Sequence, residues 1–233
     1  MEFFSAIATA FALIVGLDGA LLQIVALSLS VSLSAVAIAA LIGLPLGAAV
    51  ALWRFPGRGA VIVVLNACMG LPPVVVGLVV YLLLSRAGPL GELGLLFTPQ
   101  AMVIAQTILV LPIIAALARQ TIEDLWAEYC EQLTSLGVTP LRAIPTLLWD
   151  GRFSLLTAVL AGLGRASAEV GAILIVGGNI DGVTRTMTTA IALETARGDL
   201  ALALGLGIVL IAIIAAINGA AFGIGEAARR RAG

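Results

Sequence analysis

Few side chains in this sequence can move protons, bind anions or hold a metal, and two of them stand where charge is expensive. Arg165 and Glu169 lie four residues apart inside the apolar run 155–176. On a helix that spacing puts both on one face, and in hydrocarbon two ionisable groups gain most by pairing. The arrangement suits an ion pair that clamps two helices, or a charged element beside a transport path that shapes its field or holds a gate. An arginine neutralised in this way is a poor free receptor for an anion. Other chemistries lack their reagents. There is no His, so the usual general base and the commonest metal ligand are missing. All 12 basic residues are Arg, and without Lys the chain cannot carry a Walker phosphate-binding motif. Cys68 and Cys130 lie far apart, one in an apolar run and one in a polar segment, which argues against a disulfide framework or a zinc site. Glu169 is the one carboxylate deep in an apolar run, so neither a serine nor a paired-acid intramembrane protease is supported. No catalytic residue, cofactor or metal is expected.

The elements that position these residues belong in a membrane. Of 233 residues 61% are hydrophobic and 11% charged, against roughly half and a quarter in an average soluble domain. That excess of apolar surface has to face lipid. Five runs approach or exceed the roughly 20 residues a spanning helix needs, at about 24–52, 60–84, 101–118, 155–176 and 200–222. Helices are required, because a lipid-exposed backbone must satisfy its own hydrogen bonds. The expectation is an all-α polytopic bundle, a single transmembrane domain over 1–233. Residues 3–17 form a further short apolar stretch. Glu2 replaces the basic start of a signal peptide, so we read an uncleaved interfacial helix, with a sixth span as the alternative.

Helix breakers interrupt three runs: Gly43-Leu44-Pro45, Gly70-Leu71-Pro72-Pro73 and Pro112. Each is read either as a kink lining a path or as ordinary packing. Ser28, Ser30, Ser32 and Ser34 alternate around the first run and are read as close-packing positions. Gln106 and Asn218 are read as interhelical hydrogen bonds. Arg54, Arg58, Arg119, Arg142, Arg152 and Arg229–Arg231 fall on one side of five alternating spans, leaving Arg86, Arg185 and Arg197 on the other. The excess marks the cytoplasmic face and puts the C-terminus inside. Net charge near −1 gives no nucleic-acid footprint.

The longest polar segment, 119–154, is therefore cytoplasmic. Leu125, Tyr129, Leu133 and Leu136 share a helical face, among Glu123, Asp124, Glu128 and Glu131. Gly137 should stop that helix with a positive φ. Thr139 and Pro140 then start a second one by N-cap and first-turn preference, with Leu141, Ile144, Leu147 and Leu148 as its apolar face and Pro145 kinking or shortening it. Two short helices joined at a glycine suit either a partner's groove or a self-packed connector.

At this point the chain resembles a known family. Glu131-Gln132-Leu133-Thr134-Ser135-Leu136-Gly137 is similar to the Glu-Ala-Ala-x-x-x-Gly element of ABC-importer permeases, whose coupling helices dock on an ATPase subunit. It departs from that pattern at Gln132 and Leu133. Gly164-Arg165-Ala166-Ser167-Ala168-Glu169-Val170-Gly171, Gly177-Gly178-Asn179-Ile180 and Thr184-Arg185-Thr186-Met187-Thr188-Thr189 resemble the fourth span and outer loop of the tungstate- and molybdate-type permeases. The continuation through Asp199 looks closest to the tungstate branch. The resemblance covers about 21–222. It implies a type I importer permease acting as a homodimer in a bacterial or archaeal cytoplasmic membrane, with a separate ATPase and an extracytoplasmic oxyanion-binding protein as partners. It implies ATPase coupling through Glu128, Glu131, Leu133, Gly137, Pro140 and Leu141, and a path or gate near Arg165, Glu169 and Asn179. Molybdate and sulfate are the alternative cargoes. A self-sufficient ion-coupled transporter is the alternative class, disfavoured by its single buried carboxylate and the long two-helix loop.

Overall fold

A computed structural model describes residues 19–232, which form helices and turns without a strand among the described residues. The helices are α1 (Gly19–Leu52), α2 (Arg58–Met69), α3 (Pro73–Leu84), α4 (Pro99–Ser135), α5 (Pro140–Asp150), α6 (Arg152–Ser167), α7 (Gly171–Gly177), α8 (Met187–Arg197) and α9 (Leu200–Ala232). A 3-10 turn, Gly91–Leu93, sits between α3 and α4. The interfacial helix expected at 3–17 lies outside the described residues.

Helices α1, α4 and the Leu200–Ala227 part of α9 are each long and apolar enough to cross a membrane, and the number rises to 5 if the bent pairs α2–α3 and α5–α6 each make one span. The bundle is all-α and polytopic. The three breaker motifs behave differently. α1 runs through Pro45 and α4 through Pro112 without interruption, whereas α2 and α3 meet at a 101° bend. Consecutive prolines explain the contrast: Pro72 and Pro73 remove two adjacent donors, and Pro73 is well placed to open a new helix.

The segment read as a third span plus a polar loop is one helix. α4 has 37 residues, about 55 Å at 1.5 Å per residue, well beyond the roughly 30 Å of a hydrocarbon core. No Gly or Pro occurs between residues 113 and 136 to stop it. Its apolar character simply narrows from all faces to one.

α4 is also the axis of the core, with 67% of its most apolar window buried against 22% for α9. Val31, Val80, Met102 and Ile173 join α1, α3, α4 and α7 near one end. Val36, Val110, Ile114 and Leu163 join α1, α4 and α6 at the middle. Leu52, Ile122, Ala143 and Leu147 join α1, α4 and α5 at the other end. α1 therefore lies along α4 through all three clusters, and no other pair of described helices makes a more extensive contact. Gly43, from the first breaker motif, and Gly47 one turn on permit that approach. A Cβ on Gly47 would collide with the Ala115 carbonyl oxygen and lie 2.9 Å from Ala118 Cβ. This is close small-residue packing of the kind membrane helices use. Leu41, Ile211 and Phe222 project outward, 78%, 69% and 72% exposed, as expected of a surface meeting lipid or another apolar partner.

Candidate functional site

The fourth predicted run, 155–176, is two helices. α6 ends at Ser167 and α7 begins at Gly171, so Glu169 stands in the break rather than on a helix with Arg165. The pair forms nevertheless: Arg165 Nη1 donates to Glu169 Oε2 at 2.6 Å. The other carboxylate oxygen accepts the Ala172 backbone N–H at 3.0 Å, capping α7. The Glu169 carbonyl accepts the Thr188 hydroxyl at 2.8 Å. A carboxylate that is 2% exposed is thus compensated by one cation and one helix N-terminus, the two partners such a charge requires. Arg165 has 30% of its side chain exposed.

The break is packed from behind by α3. A Cβ on Gly77 would lie 2.8 Å from Ala172 Cα, so α3 and α7 touch backbone to backbone. From the other side it is sealed by the segment read as an outer connector. Thr184, Thr186, Thr188 and Thr189 are all buried. The Thr184 hydroxyl donates to the Gly177 carbonyl at 2.6 Å, and Thr186 and Thr189 form a reciprocal capping box that starts α8. The Met187 N–H donates to Ser28 Oγ at 2.8 Å, tying α8 to α1. The threonines turn inward, and each hydroxyl answers a backbone group.

Ser28, Ser32, Gln106, Ser167, Thr186 and Thr188 border a cavity of about 20 Å³ at this junction, room for about one water. Gln106 makes the interhelical bond expected of it, Nε2 donating to the Ala166 carbonyl at 2.9 Å, while its Oε1 is buried with no protein partner. Ser28 and Ser32, one helical turn apart, share this wall. The alternate serine run therefore contains one true face, visible as an i, i+4 pair. Asn218 departs from its expected role: its Nδ2 donates to the Ile214 carbonyl at 2.9 Å, one turn back on its own helix. Asn179 stands apart from the cavity. It adopts φ 51 just beyond Gly178, a left-handed turn that Asn tolerates, at the far end of α7 and roughly 10 Å from Glu169 by helix rise. The three candidate path residues are not gathered into one site.

The two-helix hairpin stands at the opposite end of α4. Gly137 has φ 75, as the sequence required. The Val138 N–H reaches the Leu133 carbonyl and the Gly137 N–H that of Thr134, both at 2.9 Å, which is a Schellman turn. Leu133 and Val138 pack together in the core cluster of this end, with Leu125, Tyr129, Ile144 and Leu148. Leu133 faces inward and braces the turn. Leu136, expected on that inner face, is instead 77% exposed, because the helix ends there and the turn swings it outward. Leu141 is also exposed, as are Glu128, Glu131, Gly137 and Pro140. α5 starts at Thr139–Pro140 as read, yet runs through Pro145 to Asp150. The negative charges of Glu128 and then Asp150 raise the Tyr129 phenol above its ordinary value. The tip thus offers Leu136 and Leu141 on a braced turn, with the Glu131 and Glu128 carboxylates about one and a half and two turns before it on α4.

A broken, capped span beside a small cavity, with a braced hairpin carried on an overlong helix, fits a membrane transport subunit. Comparison with known proteins supplies the family. The chain is 42% identical over 203 residues to a probable anion ABC transporter permease protein of Haloferax volcanii, covering 85% of this chain and 88% of the relative. It is 40% identical over 214 residues to the tungstate uptake system permease protein TupB of Peptoclostridium acidaminophilum, covering 92% and 94%. It is 43% identical over 155 residues to TupB of Campylobacter jejuni, covering 66% and 65%. No family model matches. The chain belongs to the ABC transporter permeases.

Proposed function

We propose that this chain is the membrane-spanning subunit of an ATP-driven importer for an oxyanion, tungstate first among them. Relatives named for tungstate uptake are 40% identical over 92% of the chain and 43% identical over 66% of it. The observation that carries the mechanism is the hairpin tip, where Leu136 and Leu141 project outward from a turn whose base is buried. Exposed leucines on a rigid polar element fit a partner's groove. Glu128 and Glu131 would set its orientation against basic residues of that partner.

In this reading the partner is a separate ATPase, since the chain has no Lys and hence no Walker lysine. The hairpin end and the C-terminal arginines face the cytoplasm by the positive-inside rule. Closure of two ATPase subunits on ATP would draw two hairpins together and rock the α1–α4 pairs of a homodimer between inward and outward openings. An extracytoplasmic oxyanion-binding protein delivers the cargo and makes the tight selection. Arg165 and Glu169 hold the broken span in shape beside the path, and Asn179 turns the chain at its outer end.

Removing the whole hairpin would also remove Ala143 and Leu147 from the core, so point changes at the tip are the cleaner test. Leu136→Asp and Leu141→Asp alter exposed side chains. Each is expected to leave the permease in the membrane and to strip the ATPase from it, read by co-purification in detergent. An ATPase that stays bound at wild-type level to the double variant removes the docking assignment.

A further inference from the structure

ATPase docking at the tip explains where force enters but not how it reaches the spans, and a group of charges beside the hairpin supplies an answer. Arg58, the first residue of α2, folds back along the end of α1. Its Nε donates to the Val50 carbonyl at 2.7 Å and its Nη2 to the Ala51 carbonyl at 3.1 Å. These are two of the carbonyls left without intrahelical partners at a helix C-terminus. The same guanidinium pairs with Glu123 on α4, and the second Glu123 oxygen pairs with Arg119 one turn earlier. One carboxylate therefore joins the end of the first span, the start of α2 and the body of α4.

The position of this clasp gives it meaning. Glu123 lies on the part of α4 that leads directly to the Gly137 turn, about four helical turns before it. Its neighbour Ile122 is fully buried with Leu52, Ala143 and Leu147, so α5 packs against the same corner. Deeper along α4, Gly47 brings the α1 backbone against Ala115 and Arg119. Arg119 has 11% of its side chain exposed, and Glu123 and Arg58 about a third. The corner is partly desolvated, most of all at Arg119, so these charges gain more from one another than they would on an open surface. Any motion of the hairpin along α4 reaches α1 through a charged clasp backed by close helix packing.

We propose that Glu123, bridging Arg58 and Arg119, is a positioning residue that transmits ATPase movement from the hairpin to the first span. The proposal rests on the docking reading and adds to it. It separates two properties that a purely structural ion pair would not separate: binding of the ATPase, which belongs to the tip, and the work extracted from each ATP, which belongs to the clasp.

The test uses the permease with its ATPase and binding protein, reconstituted in liposomes and offered tungstate. Both ATP hydrolysis and tungstate entry are measured in the same vesicles. Glu123→Gln preserves shape and removes the charge. It is expected to keep the ATPase bound and hydrolysing while the ATP spent per ion moved rises about tenfold, within the range by which single coupling contacts act. Arg58→Lys keeps the charge but cannot hold two carbonyls and a carboxylate with one planar fork; it is expected to raise the ratio less. It also serves if Glu123→Gln does not accumulate. A ratio unchanged in both variants, with entry and hydrolysis falling together or not at all, overturns the clasp. Loss of the ATPase from Glu123→Gln overturns it too, by making Glu123 part of the docking surface. Failure of the docking reading is separate: it appears as retained ATPase in the tip variants, whatever the clasp variants do.

Discussion

At the scale of the residue, Glu169 shows how one buried charge can be held by its own neighbours. One oxygen meets Arg165, the other caps α7, and the backbone carbonyl takes Thr188. These roles can be separated by substitution. Glu169→Gln keeps an acceptor for the Ala172 N–H and loses the charge. Glu169→Ala loses both and leaves a void in a packed break. Because Arg165 is partly exposed, it can turn towards solvent when Glu169 is neutralised, which limits the damage from the first change. The expected order of thermal midpoints in detergent is therefore wild type, then Gln, then Ala. The Gln-to-Ala gap should be at least the roughly 1 kcal/mol of a lost helix cap. Equal midpoints for the two variants would remove the capping role and leave only the ion pair.

At the scale of the element, the close approach of α1 and α4 depends on Gly47. A Cβ there would meet Ala115 oxygen, Ala118 Cβ and the Arg119 nitrogen, all within 2.9 Å, and backbone cannot move aside as a flexible side chain can. Gly47→Val is expected to destabilise the bundle by about 1–3 kcal/mol, the usual range for overpacking, lowering the midpoint of heat-induced aggregation. A Val variant as stable as wild type would mean that the two helices do not touch there. Such contacts also mark the limit of what was legible in the sequence. Apolar runs revealed the bundle, and Gly137, Thr139 and Pro140 marked the hairpin turn, because local chemistry alone decides them. The break at 168–170 carries no proline and was invisible: it exists because Glu169 replaces a helical bond with a side-chain cap. The inward turn of the Thr-rich segment 184–189 was also hidden: Thr184, Thr186 and Thr189 answer nearby backbone, but the Thr188 hydroxyl finds the Glu169 carbonyl, which only folding brings near. Arg58 and Arg119 were counted as loop charges, and nothing in their spacing showed the 65 residues between Arg58 and Glu123 closing into a clasp. Leu136 could have been found by noticing that a residue just before a helix-ending glycine leaves the helical face.

At the scale of the whole molecule, the permease offers a path but little means of choosing cargo. The buried Glu169 carboxylate is neutralised by Arg165, and the cavity nearby mixes hydroxyls and an amide with aliphatic side chains such as Leu29, Ile173 and Leu210, around space for about one water. Neutral hydroxyls and aliphatic side chains do not discriminate strongly between tetrahedral dianions of like charge and similar size, so on the proposed reading selection belongs to a separate binding protein. The consequence is measurable in intact cells. With tungstate and molybdate supplied separately at the same low concentration, deleting the gene should abolish high-affinity tungsten accumulation and leave most molybdenum entry to other routes. Restoring the gene with its ATPase and binding protein should restore tungsten uptake. Replacing only the binding protein by one selective for molybdate, with its docking face retained, should redirect the same permease to molybdenum. If the permease still refused molybdate when molybdate was delivered to it, selection would have to lie within the spans, and Arg165, Gln106 and the threonines of α8 would be the first residues to exchange. Equal loss of both metals on deletion would instead widen the cargo to the tetrahedral oxyanions as a class.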